Sequence, residues 1–253
     1  MNLAIGSMFF IFGLVIGSFL NVCIYRIPIN KSVVYPPSSC PSCGNRIKWY
    51  DNIPVISYIL LGGKCRYCKT KISFIYPSIE LLTAILTVAI YIKFGLTYQT
   101  IAFLVFTYAL IVGSFIDLKY YIIPDRISLG LIVVGLSLSY FLPVGIKGSF
   151  IGAISGFVIL YATAVLGQLL FKKEAMGGGD IKLLSGIGAF IGLKGVLFTL
   201  FFSSFLGSII GILLIIFGKK DLTSKLPFGP YLSLAAICYL FFGNWLIKVL
   251  YGV

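Results

Sequence analysis

Apolar residues recur along the whole chain in runs of about the length that crosses a lipid bilayer. A helix needs roughly 20 such residues to span about 30 Å of hydrocarbon. The candidate spans lie at about residues 3–22, 75–92, 101–116, 127–143, 150–171, 181–191, 196–217 and 231–250. The pattern predicts an all-α integral membrane protein with about eight transmembrane helices.

The run at 181–191 is the weakest of these candidates. Extended to Gly195, it offers about 15 residues, or about 22 Å of helix, against about 30 Å of hydrocarbon. We expect a short helix in a locally thinned or protein-lined site. Such a helix would draw the preceding acid, Asp180, toward the membrane interior.

The polar stretch at about residues 24–76 is the only segment long enough to form a small extramembrane domain. The run before it ends without a small-residue cleavage signature, so we interpret that run as a retained span. The sequence therefore predicts a first transmembrane helix at residues 1–23, an inserted loop domain at 24–76 and a membrane core at 77–253.

The composition excludes an ordinary soluble protein and several kinds of chemistry. Charged residues make up 11% of the chain and the mean hydropathy is +1.06, whereas soluble domains have about 25% charged residues. Histidine is absent, which removes Ser-His and Cys-His nucleophiles and histidine-ligated metals. Any chemistry must use carboxylates, cysteines or lysines.

The basic residues predict the orientation of the chain. The net charge is +13, and a basic excess in a membrane protein marks the cytoplasmic side, so no nucleic-acid partner is predicted. If every run crosses, the far side holds only Lys93, Lys147, Lys194 and Lys248. This places the 24–76 loop and the Gly177-Gly178-Gly179-Asp180 stretch in the cytoplasm, with the lipid bilayer as a partner.

Two CxxC pairs in the polar loop predict a zinc site. Their cysteines are Cys40, Cys43, Cys65 and Cys68. Two such pairs at this spacing fit a tetrahedral structural zinc site, and Gly44, Gly62 and Gly63 offer permissive backbone for the knuckle turns. Disulfides are the alternative, which a reducing cytoplasm disfavours. Cys23 and Cys238 lie in apolar runs and are interpreted as packing residues.

Two aspartates at the ends of apolar runs are candidates for catalysis. Asp117 closes the third run, where the helix dipole disfavours a negative charge. Asp180 follows three glycines at the edge of the bilayer, where a carboxylate is expensive. If the two carboxyls meet, they share a proton. The ionised one then acts as a general base on water, while the other hydrogen bonds the scissile carbonyl.

Each acid also has a structural interpretation. Asp180 can cap a helix after a glycine-rich turn, as a solvated group with no catalytic role. Asp125, which follows Pro124 at the start of the fourth run, is interpreted as a helix N-cap.

The chain resembles the bacterial type IV prepilin peptidase family, which are GxGD-type aspartic peptidases of the membrane. The similarity covers nearly the whole chain and rests on several motifs together. These are the stretch from Gly17 to Pro28, the two CxxC pairs, Pro77-Ser-Ile-Glu80-Leu81, Asp117 with the downstream Pro124-Asp125, Gly177-x-Gly179-Asp180-x-Lys182-Leu183, and Pro227-Phe228-Gly229-Pro230.

The resemblance implies removal of the basic leader of type IV prepilins or pseudopilins at the cytoplasmic face of the bacterial cytoplasmic membrane. Asp117 and Asp180 map onto the family's catalytic aspartates. Members with the tetracysteine loop also N-methylate the new amino terminus with S-adenosylmethionine. No cofactor-binding residue can be assigned from the sequence, since no GxGxxG follows a strand. Glu80 either holds a substrate amine or is an interfacial acid paired with Lys71 or Arg26.

Other functions remain open at this stage. One alternative is a peptidase without methyltransferase activity. Another is a proton-coupled carrier that uses Asp117 and Asp180 as relay groups, although no paired repeats are evident. A non-enzymatic assembly factor whose cysteine loop docks partners would leave the placement of both aspartates unexplained.

Overall fold

The computed structural model describes residues 3–172, 176–218 and 226–251. Lys173, Lys219, Lys220 and Lys225, which the sequence analysis assigns to the basic, cytoplasmic side, lie outside these ranges. Within them there is no β-strand, so the prediction of an all-α protein is confirmed. The α-helices are α1 (Leu3–Arg26), α2 (Ile56–Leu60), α3 (Ile75–Phe94), α4 (Tyr98–Tyr120), α5 (Asp125–Ser137), α6 (Gly145–Phe171), α7 (Gly178–Ile216) and α8 (Gly229–Tyr251).

Five helices of the described chain are long and apolar enough to cross a membrane: α1, α3, α4, α6 and α7. Helix α5 has 13 residues, about 20 Å at 1.5 Å per residue, which is short of a full crossing. Every predicted run falls on a helical segment, but the runs at 181–191 and 196–217 both belong to α7. The chain is therefore a multi-pass membrane protein, and its eight predicted runs correspond to seven helices, because α7 contains two of them.

The chain divides into two compact units. The first is Met1–Thr100, with α1, α2, α3 and the polar loop, and the second is Ile101–Val253, with the remaining helices.

In the first unit, α1 and α3 touch backbone to backbone at two glycines spaced by one helical turn. A Cβ built on Gly13 would lie 2.6 Å from the Cα of Ala84, and one built on Gly17 would lie 2.6 Å from the Cα of Glu80. Membrane helices associate through such small residues because lipid supplies no hydrophobic force between them. The close contact at Gly13 and Gly17 thus holds the backbone of Glu80 against α1 at Gly17.

In the second unit, α7 is broken at Gly192. This glycine has φ +69° and ψ −177°, a left-handed backbone that other residues rarely adopt. The Val196 side chain lies against Gly188, although eight residues of straight helix would separate them by about 12 Å along the axis. The chain therefore turns sharply at Gly192, and α7 consists of two arms.

The first arm of α7 is enclosed by protein, in line with the protein-lined site expected for the 181–191 run. All residues from Leu183 to Gly192 are buried. Glycines on α6 approach its backbone closely, and two hydroxyls fix the contact. Ser149 Oγ donates to the Ala189 carbonyl over 2.6 Å, and Ser185 Oγ donates to the Ala153 carbonyl over 2.9 Å.

The contact between α1 and α3 makes a matched pair of glycine substitutions informative. Gly17→Ala forces a methyl group into the α3 backbone and should destabilise the protein by about 1–3 kcal/mol, as overpacking does. Gly6→Ala, on the same helix, meets nothing within 4 Å and should be neutral or slightly stabilising. Thermal unfolding in one detergent compares them, and equal melting temperatures would contradict the packing described.

Candidate active site and metal centre

The Asp117 carboxyl is held by the beginning of α8. Asp117 lies in the last turn of α4 and is 5% exposed, and its Oδ2 accepts a hydrogen bond from the Gly229 N–H over 2.9 Å. The positive N-terminal end of α8 offsets the unfavourable dipole of α4 that the sequence suggested. A Cβ on Gly229 would lie 2.9 Å from the same oxygen, so a larger residue there would displace the Asp117 carboxyl.

Asp180 lies in the first turn of α7, where the helix dipole favours a carboxylate. It lies near Asp117, because Gly229, which binds Asp117, and Gly179, next to Asp180, both pack against Ile123. Its Oδ1 is buried and has no hydrogen-bond partner among the described residues. A buried acceptor left in this way costs about 1–3 kcal/mol, and it requires an explanation. The fold therefore brings the two sequence-predicted acids into one site.

Glycines place the start of α7 against the segment between α4 and α5. A Cβ on Gly179 would lie 3.0 Å from the Ile123 Cβ and 3.3 Å from the Ile123 carbonyl oxygen, and one on Gly177 would lie 3.2 Å from Asp180 Oδ2. A Cβ on Gly178 would meet nothing within 4 Å. Gly179 thus packs closely against Ile123 and Gly177 lies close to the Asp180 carboxyl, whereas Gly178 has open space around it.

The interpretation of Asp125 as a helix cap is wrong. Pro124 is the N-cap residue of α5 and no side-chain capping hydrogen bond is formed. Asp125 instead pairs with Lys182, with 2.6 Å between Oδ1 and Nζ. The pair is partly exposed and ties the first turn of α5 to the first turn of α7. Sequence analysis gave Lys182 no role of its own, because the pairing depends on how these two helices pack.

The four loop cysteines converge as predicted. Their sulfur atoms all lie within 4.8 Å of one another, and those of Cys40 and Cys68 are 3.8 Å apart. Tetrahedral zinc with 2.3 Å bonds to sulfur would place its ligands about 3.8 Å from each other. None of the cysteines is in a disulfide. The donor set therefore fits a closed four-thiolate metal site.

The two CxxC pairs form twin turns, although sequence analysis found no internal repeat. The Cys40 N–H donates to the Asn45 carbonyl, and the Cys65 N–H donates to the Thr70 carbonyl, each over 2.9 Å. The residue after each pair, Gly44 or Lys69, has a left-handed backbone. The second turn thus uses Lys69, and not Gly62 and Gly63 as expected, which follow α2.

Hydrogen bonds around the second turn favour negative charge. The Thr70 hydroxyl and backbone lower the pKa of the Cys68 thiol to about 6, which favours the thiolate form that binds metals. Arg66 donates two hydrogen bonds to Asp51 Oδ1 and one to Oδ2 and lowers the pKa of that carboxyl. This ion pair links the 3₁₀ turn at Trp49–Asn52 to the metal-binding turn.

Of the two alternatives for Glu80, the pairing with Lys71 or Arg26 is not found among the ion pairs of the described residues. Glu80 is buried at 8% exposure, and its Oε2 accepts a hydrogen bond from the Val55 N–H over 2.7 Å. Val55 has φ +61°, a strained conformation for a β-branched residue. The acid therefore holds a strained segment of the loop, just before α2, against α3.

Two family models match the chain, one in each of its two compact units. Residues 11–94 match the Bacterial Peptidase A24 N-terminal domain, and residues 104–212 match the Type IV leader peptidase family. The chain is 37% identical to the prepilin leader peptidase/N-methyltransferase of Xanthomonas campestris pv. campestris, and 35% identical to that of Pseudomonas aeruginosa. Each match covers 93% of this chain and 90% of the relative. No solved structure matches significantly.

The fold and site define a multi-pass helical membrane protein with a buried aspartate, a half-buried aspartate near it and a tetracysteine loop. With these matches, the chain belongs to the type IV leader peptidase family. Membership favours a peptidase over the carrier and the assembly factor.

Because Gly179 packs closely and Gly178 does not, replacing each by alanine should change the rate of leader cleavage to very different degrees. Gly179→Ala should push α7 away from Ile123 and misplace Asp180, and a displacement of about 1 Å can lower a rate about 100-fold. Gly178→Ala adds its methyl group in open space and should retain activity. Rates of leader cleavage by the two purified variants test this, and equal rates would contradict a positioning role for Gly179.

The cysteine cluster predicts one bound metal ion per chain. Replacing Cys40 and Cys43 by serine should release it, because two of four thiolate ligands are lost. Cys238→Ser, outside the cluster, is the matched control. Elemental analysis by plasma emission measures the zinc, and an unchanged content in the double variant would exclude this site.

Proposed function

We propose that this protein is a membrane-embedded aspartic endopeptidase that removes the leader peptide of type IV prepilins or pseudopilins, and then N-methylates the new amino terminus with S-adenosylmethionine. Relatives that match over nine-tenths of its length are named prepilin leader peptidase/N-methyltransferase. The observation that carries the proposal is geometric: Gly229, which binds Asp117, and Gly179, next to Asp180, both pack against Ile123. In addition, Asp180 Oδ1 is buried without a hydrogen-bond partner among the described residues.

Peptide cleavage needs no metal and no nucleophilic side chain at this pair. One carboxylate takes a proton from water as the water attacks the scissile carbonyl, and the other carboxyl hydrogen bonds the carbonyl oxygen. The proton passes to the leaving amine as the tetrahedral intermediate collapses. The Gly229 N–H fixes the orientation of Asp117, while the unpartnered oxygen of Asp180 is available for water or substrate.

The metal and the methyl donor have different roles. Cys40, Cys43, Cys65 and Cys68 would hold zinc in a closed site without an open coordination position, which is structural in character. Bound zinc would fasten the two turns of the 24–76 loop to each other. S-adenosylmethionine would supply the methyl group for the amino terminus exposed by cleavage.

We place the protein in the bacterial cytoplasmic membrane, with the aspartates and the 24–76 loop facing the cytoplasm. The support is the distribution of lysine and arginine, which collects on the side of that loop. In this arrangement, residues 1–23 and 77–253 form the membrane part and the tetracysteine loop is inserted between them.

The test compares three aspartate variants in membranes supplied with a prepilin-like peptide and S-adenosylmethionine. Asp117→Asn and Asp180→Asn should each lower cleavage by at least about 100-fold, since general acid–base catalysis contributes about 10²–10⁴-fold. Asp125→Asn is the matched control, because this acid pairs with Lys182 outside the proposed pair, and it should retain most activity.

The mass of the new amino terminus, measured by mass spectrometry, reports the second activity. A gain of one methyl group by the wild type supports both halves of the proposal. If the wild type cleaves the peptide but adds no methyl group, the peptidase half of the proposal stands and the methyltransferase half is rejected. Normal cleavage by Asp117→Asn or Asp180→Asn would reject the aspartate pair, and a severe loss in Asp125→Asn would extend the site to α5.

A further inference from the structure

The Met1–Thr100 unit contains a cavity that the peptidase chemistry does not use. Its volume is about 840 Å³, and its walls come from the end of α1, the start of α3 and the polar loop. Pockets for small molecules and cofactors have volumes of about 300–1,000 Å³ and are mostly apolar with a few converging polar groups. The cavity has the size of a cofactor site.

Two buried charges of opposite sign line this cavity. Glu80 on α3 is 8% exposed and Arg26 on α1 is 9% exposed, and both contribute to the wall. Neither is in an ion pair: the described chain has two such pairs, Arg66 with Asp51 and Lys182 with Asp125. Burying charges without counter-charges is costly. Other charged residues also line the cavity, but these two buried side chains each lack a counter-charge.

Backbone groups orient both side chains and leave hydrogen-bonding capacity. Arg26 donates from Nη1 to the Ser32 carbonyl over 2.9 Å and from Nη2 to the Pro36 carbonyl over 2.7 Å. A guanidinium has five N–H donors, so several remain. Glu80 accepts a hydrogen bond from the Val55 N–H at Oε2 and also bonds the Ser18 side chain, which brings no counter-charge. Both charges are thus held in place before any ligand arrives.

The remaining walls suit a flat aromatic group. Tyrosines from α1, the loop and α3 contribute to the lining: Tyr25, Tyr35, Tyr58, Tyr67 and Tyr76. Aromatic side chains offer flat faces on which a purine can stack. The cavity therefore combines a site for a zwitterion with a site for an aromatic ring.

We propose that this cavity binds S-adenosylmethionine, with Arg26 paired to the α-carboxylate and Glu80 to the α-ammonium of its methionine part. The inference rests on the proposed methyltransferase function and names its cofactor site. A zwitterion supplies both missing counter-charges in one molecule, while the tyrosines accommodate the adenosine. The amino terminus of a cleaved pilin alone would satisfy Glu80 and leave Arg26 unpaired.

The test is equilibrium binding of two ligands to the purified, zinc-loaded full-length protein in detergent. S-adenosylhomocysteine carries the zwitterion, whereas methylthioadenosine has the same adenosine without it. In Glu80→Gln the amide oxygen can still accept the Val55 N–H, so the loop anchor is kept while the charge is lost. Arg26→Gln removes the positive charge, and Arg126→Gln, exposed on α5, is the matched control.

Each cavity variant should bind S-adenosylhomocysteine at least about tenfold more weakly, as the loss of a charged hydrogen bond predicts. Binding of methylthioadenosine should change less than about twofold, and Arg126→Gln should match the wild type for both ligands. Zinc content should be unchanged, and in Glu80→Gln, which keeps the Val55 anchor, the melting temperature should be unchanged too. The specific loss of one ligand separates recognition of the zwitterion from damage to the loop.

Three outcomes would overturn the site. Unchanged binding of S-adenosylhomocysteine in both cavity variants would place the cofactor elsewhere and leave the proposed function intact. Equal weakening of both ligands, with loss of zinc or a lower melting temperature, would make the two residues loop anchors only. If the wild type cleaves prepilin but binds no S-adenosylhomocysteine, both the site and the methylation half of the proposed function fail.

Discussion

Close approach of helix backbones at glycine is the constraint on which the rest of the structure depends. Lipid provides no hydrophobic force between helices, so packing and interhelical hydrogen bonds must hold them together. Gly13 and Gly17 bring α1 against α3, and glycines on α6 bring it against the first arm of α7. Polar groups on these helices meet their partners only because the backbones come so near.

The candidate active site is assembled from helix ends. Asp117 lies in the last turn of α4 and accepts a hydrogen bond from the first N–H of α8. Asp180 lies in the first turn of α7. Two helix N-termini therefore face a pair of like charges, which lowers the cost of holding carboxylates in a buried place. The packing of Gly179 on Ile123 adds the positional constraint. Electrostatics and close packing act here on the same few residues.

The tetracysteine loop is attached to its helices by two buried charges. Glu80 holds Val55 and Arg26 holds the carbonyls of Ser32 and Pro36. The twin cysteine turns then close the loop on itself. If the loop served only the metal, apolar anchors would do the same work without the cost of desolvating two charges. The proposed zwitterion site would account for the use of charges instead.

The sequence alone determined the membrane class, the helical segments and the cysteine cluster, since run length and CxxC spacing are local properties that the chain carries into any fold. It also pointed to Asp117 and Asp180, through the resemblance. Only the tertiary structure decided that these acids meet, that α7 turns at Gly192, that Asp125 pairs with Lys182 and that Glu80 holds Val55. These features join residues far apart in sequence. Local periodicity does not specify such pairs, because they depend on which helix faces pack together.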